Sequence, residues 1–218
     1  MDTLTLRQRI EHEEFDYQIL LDVLREYARP RDKISDLLEK GVIVRVKKGL
    51  YVFGEAYRRR PASREILANL IYGPSYISLE YALHYHGLIP ERVETLTSVA
   101  HGRSRTFDTP IGTFSYRGIS GRAFRIGMDR VDLDDGRSFL IATPEKALAD
   151  KIVEDRGAGI RTQTELEDYL LNNLRIDPTG LRELDPERLL AIAGCYRSRR
   201  IKMLSRLVSN LRKAAQGD

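Results

Sequence analysis

The side chains best suited to chemistry in this sequence are cations. Between residues 29 and 60 the chain carries ten basic side chains against four acidic ones, whereas residues 1–28 carry three against seven. Arg29, Arg31, Lys33 and Ser35 sit around the apolar residues Ile34, Leu37 and Leu38, and Arg45, Lys47 and Lys48 follow shortly after. Long cationic stems contact phosphate oxygens. Arginine also reads guanine through a bidentate pair, and a serine hydroxyl serves base edge or phosphate. For a polyanionic partner, such clustering matters more than the modest net charge of +4. Asp32, Asp36 and Glu39 share the stretch and oppose that attraction, although a carboxylate can accept from a cytosine amino group.

Other constellations are thinner. Arg103 and Arg105, beside Gly102, suit a phosphate or a partner's carboxylates, and equally suit a plain hairpin surface. Asp132 and Asp134 form a DxD of the kind that holds a divalent metal in nucleotidyltransferases. The Gly-Ser motif such enzymes need is absent, and Asp134-Asp135-Gly136 reads better as a turn. Asp129, Glu145 and Lys146 make no nuclease set, because the last two are adjacent at a helix start. His84 and His86 lie two apart on an expected helix and so face different ways, and His101 has no partner at metal-ligand spacing. The expectation is no catalytic residue, no metal and no cofactor.

The elements that must position the cations follow from periodicity. Pro30 suits a first helical turn, Ile34, Leu37 and Leu38 give one apolar stripe, and Gly41 suits the left-handed conformation that ends a helix. Val42, Val44 and Val46 then alternate with Ile43, Arg45 and Lys47, predicting a half-buried strand. Lys47, Lys48 and Gly49 are expected to turn it into a second strand, Leu50 to Phe53. Ahead of these, Asp16 caps a helix bearing Tyr17, Leu20, Leu21, Leu24 and Tyr27, and a short helix spans Leu4 to His12. Helices followed by a cationic hairpin outline a winged helix-turn-helix over residues 1–60, with Gly54 to Pro61 as the way out. The same head used for protein contacts is the alternative.

Residues 61–218 read as a larger α+β domain. Two helices are expected, one capped by Ser63 with Ile66, Leu67, Leu70 and Ile71 inward, the other from Ser78 to His86. About five strands of a mostly antiparallel sheet follow, from VETLTSVA to SFLIAT, and then a helix opened by Thr143 and Pro144. From about residue 160 the chain is expected to be helical. Its last helix, Arg197 to Lys213, is basic outside, as a solvated face, a further DNA contact or a dock for an acidic surface. Hydrophobic residues at 42% and charged ones at 31% indicate a globular protein. No apolar run can span a bilayer, the N-terminus lacks a signal-peptide pattern, and the lone Cys195 excludes an internal disulfide. A cytoplasmic protein is expected.

Two later stretches carry a resemblance. YISLEYALHYHGLIPERVETLTSVAHGRSRTFDTPIGTFSYRGI, from Tyr76 to Ile119, resembles the core signature of the AbiEi family of antitoxins, and ATPEKALADKI, from Ala142 to Ile152, resembles its second block. KKGLYVF, which follows the expected recognition helix, is similar as well, so the likeness covers most of residues 16–155. It implies an N-terminal winged helix that binds double-stranded DNA, an operator in its own promoter, and represses its operon. It also implies a C-terminal domain that counteracts a nucleotidyltransferase-like toxin. The rival readings are a metal-dependent nucleotidyltransferase or nuclease built on the β-rich part, and a protein-interaction adaptor.

Overall fold

The computed structural model describes residues 3–216; the outermost residues of both expected domains, 1–2 and 217–218, lie outside the described residues. The chain is α+β. It begins with α1 (Thr3–Arg9), β1 (Glu14–Asp16), α2 (Tyr17–Val23), α3 (Pro30–Glu39), β2 (Ile43–Lys47) and β3 (Leu50–Phe53). Asp16 caps α2 by accepting the Ile19 N–H at 2.9 Å, and Pro30 opens α3, where a missing N–H costs nothing. Gly41, at φ +64°, ends α3 as its position suggested. The three strands form an antiparallel sheet in the order β1-β3-β2.

The body follows as α4 (Arg64–Ile71), β4 (Ser75–Ile77), α5 (Leu79–Tyr85), β5 (Leu96–Ala100), β6 (Arg105–Thr109), β7 (Gly112–Gly118), α6 (Gly121–Phe124), β8 (Met128–Asp132), β9 (Ser138–Ala142) and α7 (Pro144–Glu154). The helical end comprises α8 (Gln163–Asp168), which continues as a π-helical turn over Tyr169–Asn173, then α9 (Pro178–Glu183), α10 (Pro186–Tyr196) and α11 (Arg199–Gln216). Among the described residues, no helix is long and apolar enough to cross a membrane.

The five strands expected after Val93 are present, but their sheet is mixed rather than mostly antiparallel. Its order is β6-β7-β5-β4-β9-β8, with β5–β7 and β4–β9 parallel and the other three pairings antiparallel. Short strands bounded by turns reveal where chain reverses, not which neighbour each strand takes. The central β4 is only three residues long and follows Gly73-Pro74. Where β4 runs out, Asn69 finishes the ladder. Its amide donates to Leu140 O at 3.4 Å and accepts from Leu140 N at 2.6 Å. Leu70, expected inward, is half exposed, and Ala68 takes a buried position instead.

Apolar side chains form two buried clusters, and β3 belongs to both. Phe15, Leu20, Leu24, Ile34, Leu37, Ile43, Tyr51 and Phe53 make the N-terminal one. Val46, Leu50 and Val52 face the other way, into the large cluster around α4, the six-stranded sheet and the C-terminal helices. Burying each of these three side chains contributes roughly 1.5–3 kcal/mol, which fastens the hairpin to the body. A charged chain closes the seam. Glu14 on β1, nearly fully buried, accepts from Arg137 and from the Ser63 N–H. Arg137 also donates to Asp135 at 2.7–3.0 Å, and Asp135 pairs in turn with Arg60. Arg137 holds the Asp135 carboxyl down, at about 2, so this pair stays ionised as pH falls until it nears that value.

Removing Arg137 strands the Glu14 carboxylate in the seam. Arg137→Ala is therefore expected to lower unfolding free energy by about 3 kcal/mol in urea denaturation. It should also expose the 54–62 segment to limited proteolysis. Unchanged stability with unchanged protection would contradict the seam.

Candidate nucleic-acid interface

The outward face of α3 is built by the stripe opposite. With Ile34 and Leu37 buried, Arg31, Asp32, Ser35 and Glu39 are left exposed, and Arg29 stands exposed at the helix start. Arg29 is the N-cap residue and makes no side-chain cap bond. Backbone N–H groups of the first turn thus point outward beside two arginines, an arrangement that attracts phosphate. The Ser35 hydroxyl donates to Arg31 O at 3.3 Å, within its own helix, and must rotate to meet a ligand.

The three carboxylates are less of an obstacle than their count suggests. Asp36 accepts from Lys33 at 2.7 Å and pairs with Lys40 at 2.6 Å; these two lysines, Lys33 first, pull its carboxyl below the usual range. Asp32 lies 3.8 Å from Arg29. Lys33 is committed further, 6.0 Å over the Tyr27 ring. Arg31 is the cation of α3 with most freedom to reach a base.

The hairpin divides its cations. Lys48 and Gly49 form the turn, Gly49 at φ +86°, and Lys48 is exposed at the tip. Arg45 is exposed, 5.9 Å over the Tyr51 ring. Lys47 is still in the strand, paired with Leu50, and its ammonium donates to Ile71 O at the end of α4. Strict alternation would put Lys47 on the face of Ile43 and Arg45. A bulge between Arg45 and Lys47 breaks that alternation and sets Lys47 opposite Leu50, toward the body. Burial there pushes its ammonium below the ordinary lysine value.

Elsewhere the expected groups do not converge. Arg103 is exposed in the loop before β6, and Arg105 opens β6 with its guanidinium 5.6 Å over Tyr72. Asp132 pairs with Arg130 at 2.6 Å, and Asp134-Asp135 form the β8–β9 turn. His84 and His101 are exposed, while His86 bonds Ala142 O at 2.8 Å. A cleft of about 760 Å³ lies beside α5, α7 and β7. Of the charges lining it, Arg117 pairs with Glu154 at 3.0 Å, and Lys151 with Glu80 and Asp155 at 2.8 Å each.

One constellation escaped the sequence. Lys146 and Asp150, one turn apart on α7, are buried and paired, with Tyr76, Ser78 and Tyr196 around them. Ser78 Oγ donates to Asp150 at 2.7 Å, Tyr76 OH at 3.3 Å, and Lys146 donates to Tyr196 OH at 2.7 Å. Burial drives the Lys146 ammonium down while Asp150 draws it back up, and it drives both tyrosine hydroxyls far above their usual range. The signal available was an i, i+4 Lys–Asp pair inside ATPEKALADKI, with Ala147, Leu148 and Ala149 between its members. With Tyr76, Ser78, Lys146 and Asp150 buried and Tyr196 partly so, the network joins β4, α7 and α10. No family model matches the sequence, and no curated protein matches it.

The divided hairpin separates two lysines that adjoin in sequence. Lys47→Gln is expected to lower the thermal midpoint and leave the salt dependence of duplex binding unchanged. Lys48→Gln should leave the midpoint alone and flatten the log–log salt slope by about 0.9. Melting curves and gel shifts across a salt series read both. The reverse pattern would reassign the two residues.

Proposed function

We propose that the chain is a DNA-binding transcriptional regulator that acts as a winged helix-turn-helix protein. The carrying observation is the order α1-β1-α2-α3-β2-β3, with an outward α3 bearing Arg29, Arg31 and Ser35 and a hairpin bearing Arg45 and Lys48. In this reading α3 enters the major groove by its N-terminal end, and Arg31 contacts a base edge. Arg29, Arg45 and Lys48 hold backbone phosphates and fix the register. Lys33 neutralises Asp36, and Lys47 fixes the hairpin.

The finer identity rests on the quoted stretches. Their resemblance to AbiEi antitoxins supports repression of the chain's own operon and neutralisation of a nucleotidyltransferase-like toxin by the body. Tyr76 and Ser78 from the first stretch meet Lys146 and Asp150 from the second in one buried network. That network gives the similar residues a structural task, so the resemblance speaks for a shared body.

Gel shifts with the upstream region and a scrambled duplex test the DNA reading. Arg31→Ala is expected to cost about 1–3 kcal/mol on the upstream duplex and little on the scrambled one. No binding to either duplex by the intact protein at low salt would overturn the function.

The antitoxin role has its own test. The full chain carrying Arg31→Ala with Lys48→Ala should lose repression, yet restore growth when a cognate toxin is expressed from a separate promoter. Loss of rescue together with repression would assign protection to transcription, not to the body.

A further inference from the structure

We propose that the outer face of α11 is a second contact surface for the phosphodiester backbone of duplex DNA. Arg199, Lys202, Arg206 and Lys213 are all exposed on this 18-residue helix. At about 100° and 1.5 Å per residue, they share about 60° of arc and form a row about 21 Å long. The helix contains no Asp or Glu, and among the described residues none of the four makes an ion pair.

Several other cations of this chain are matched by carboxylates, whereas this row has none on its own helix. Lys33 and Lys40 share Asp36, Arg117 has Glu154, Arg130 has Asp132 and Lys151 has two carboxylates. Like charges at i, i+3 and i, i+4 destabilise a helix, and Arg199 sits in the first turn, where the dipole disfavours a cation. Arg200 shows the contrast. It turns inward and donates to Ile152 O at 3.2 Å and Asp155 O at 3.3 Å, at the end of α7. Its neighbours in the row have no such task.

The opposite face of α11 narrows the choice of partner. Ile201, Leu204, Leu207 and Val208 are buried in the large core, so the helix cannot lie in a bilayer by its apolar side. What remains is a straight, rigid line of long cationic stems. Duplex DNA carries one charge per about 1.7 Å of axis, so a row of this length meets several phosphates along the backbone. Arginine and lysine stems tolerate any sequence, and the surface would therefore add affinity without specificity. The choice of DNA among polyanions rests on the reading of α3; the row itself does not.

The test uses the full chain carrying Lys202→Gln, Arg206→Gln and Lys213→Gln, with a charge-preserving control, Lys202→Arg, Arg206→Lys and Lys213→Arg. Anisotropy of a labelled random-sequence duplex is followed across a salt series. The neutralised variant should melt normally and lose roughly two to three units of log–log slope, and the control should keep the slope. An unchanged slope in the neutralised variant would overturn the proposal, as would loss of binding only to phosphatidylserine vesicles or poly-glutamate. Running Arg31→Ala with Lys48→Ala in parallel separates the two surfaces. A loss confined to that variant leaves α3 standing and removes α11, a loss confined to the α11 variant does the reverse, and an intact protein that binds no duplex removes both.

Discussion

Strand β3 lies in the middle of its sheet and is buried on both faces, and the arrangement of the molecule depends on how those faces are shared. Tyr51 and Phe53 complete the core under α2 and α3, while Leu50 and Val52 complete the core over α4. A strand with two apolar faces must be covered twice. The N-terminal unit therefore cannot leave the body without exposing Val46, Leu50 and Val52 to water. Glu14, Arg137, Asp135 and Arg60 set the orientation of that contact, since a buried carboxylate tolerates only a geometry that keeps its partners. The outward face of α3 is thereby held in a fixed relation to the body, with no tether between them to flex freely.

Much of this was legible in the residues. Asp16, Pro30 and Gly41 act locally, through capping bonds and backbone preference, and each sits where its chemistry placed it. The strand segments from Leu96 to Ala142 were equally readable, because β-branched and aromatic runs broken by glycine leave little alternative. Long-range features were not. Nothing near β5 or β7 says that they run parallel, and a three-residue β4 is too short for any periodicity. Lys47 failed for a subtler reason: one bulge residue reverses the face of everything after it, and valine-rich alternation conceals it. Lys146 and Asp150 are buried by the sheet and α10, which lie far from them in sequence.

The candidate interface follows the same division. Which cations exist is local information, but which remain available is decided by tertiary partners. Lys33 is held by Asp36 and Lys47 by Ile71 O, leaving Arg29, Arg31, Arg45 and Lys48 as an exposed set on a single small unit. Asp36, which seemed to oppose a polyanion, is offset by two lysines. In the body, Arg117 and Lys151 of the cleft are held by carboxylates, and the Lys146–Asp150 pair is buried.

The central claim is that α3 and the hairpin tip engage duplex DNA as one rigid reader. Hydroxyl-radical footprinting of the intact protein on the region upstream of its own gene tests it most directly, because cleavage reports backbone contact nucleotide by nucleotide. The account expects a short, defined stretch of protection at moderate salt, with strongest protection on the phosphates flanking one major groove. Uniform cleavage across the region at protein concentrations that saturate any binding would contradict it.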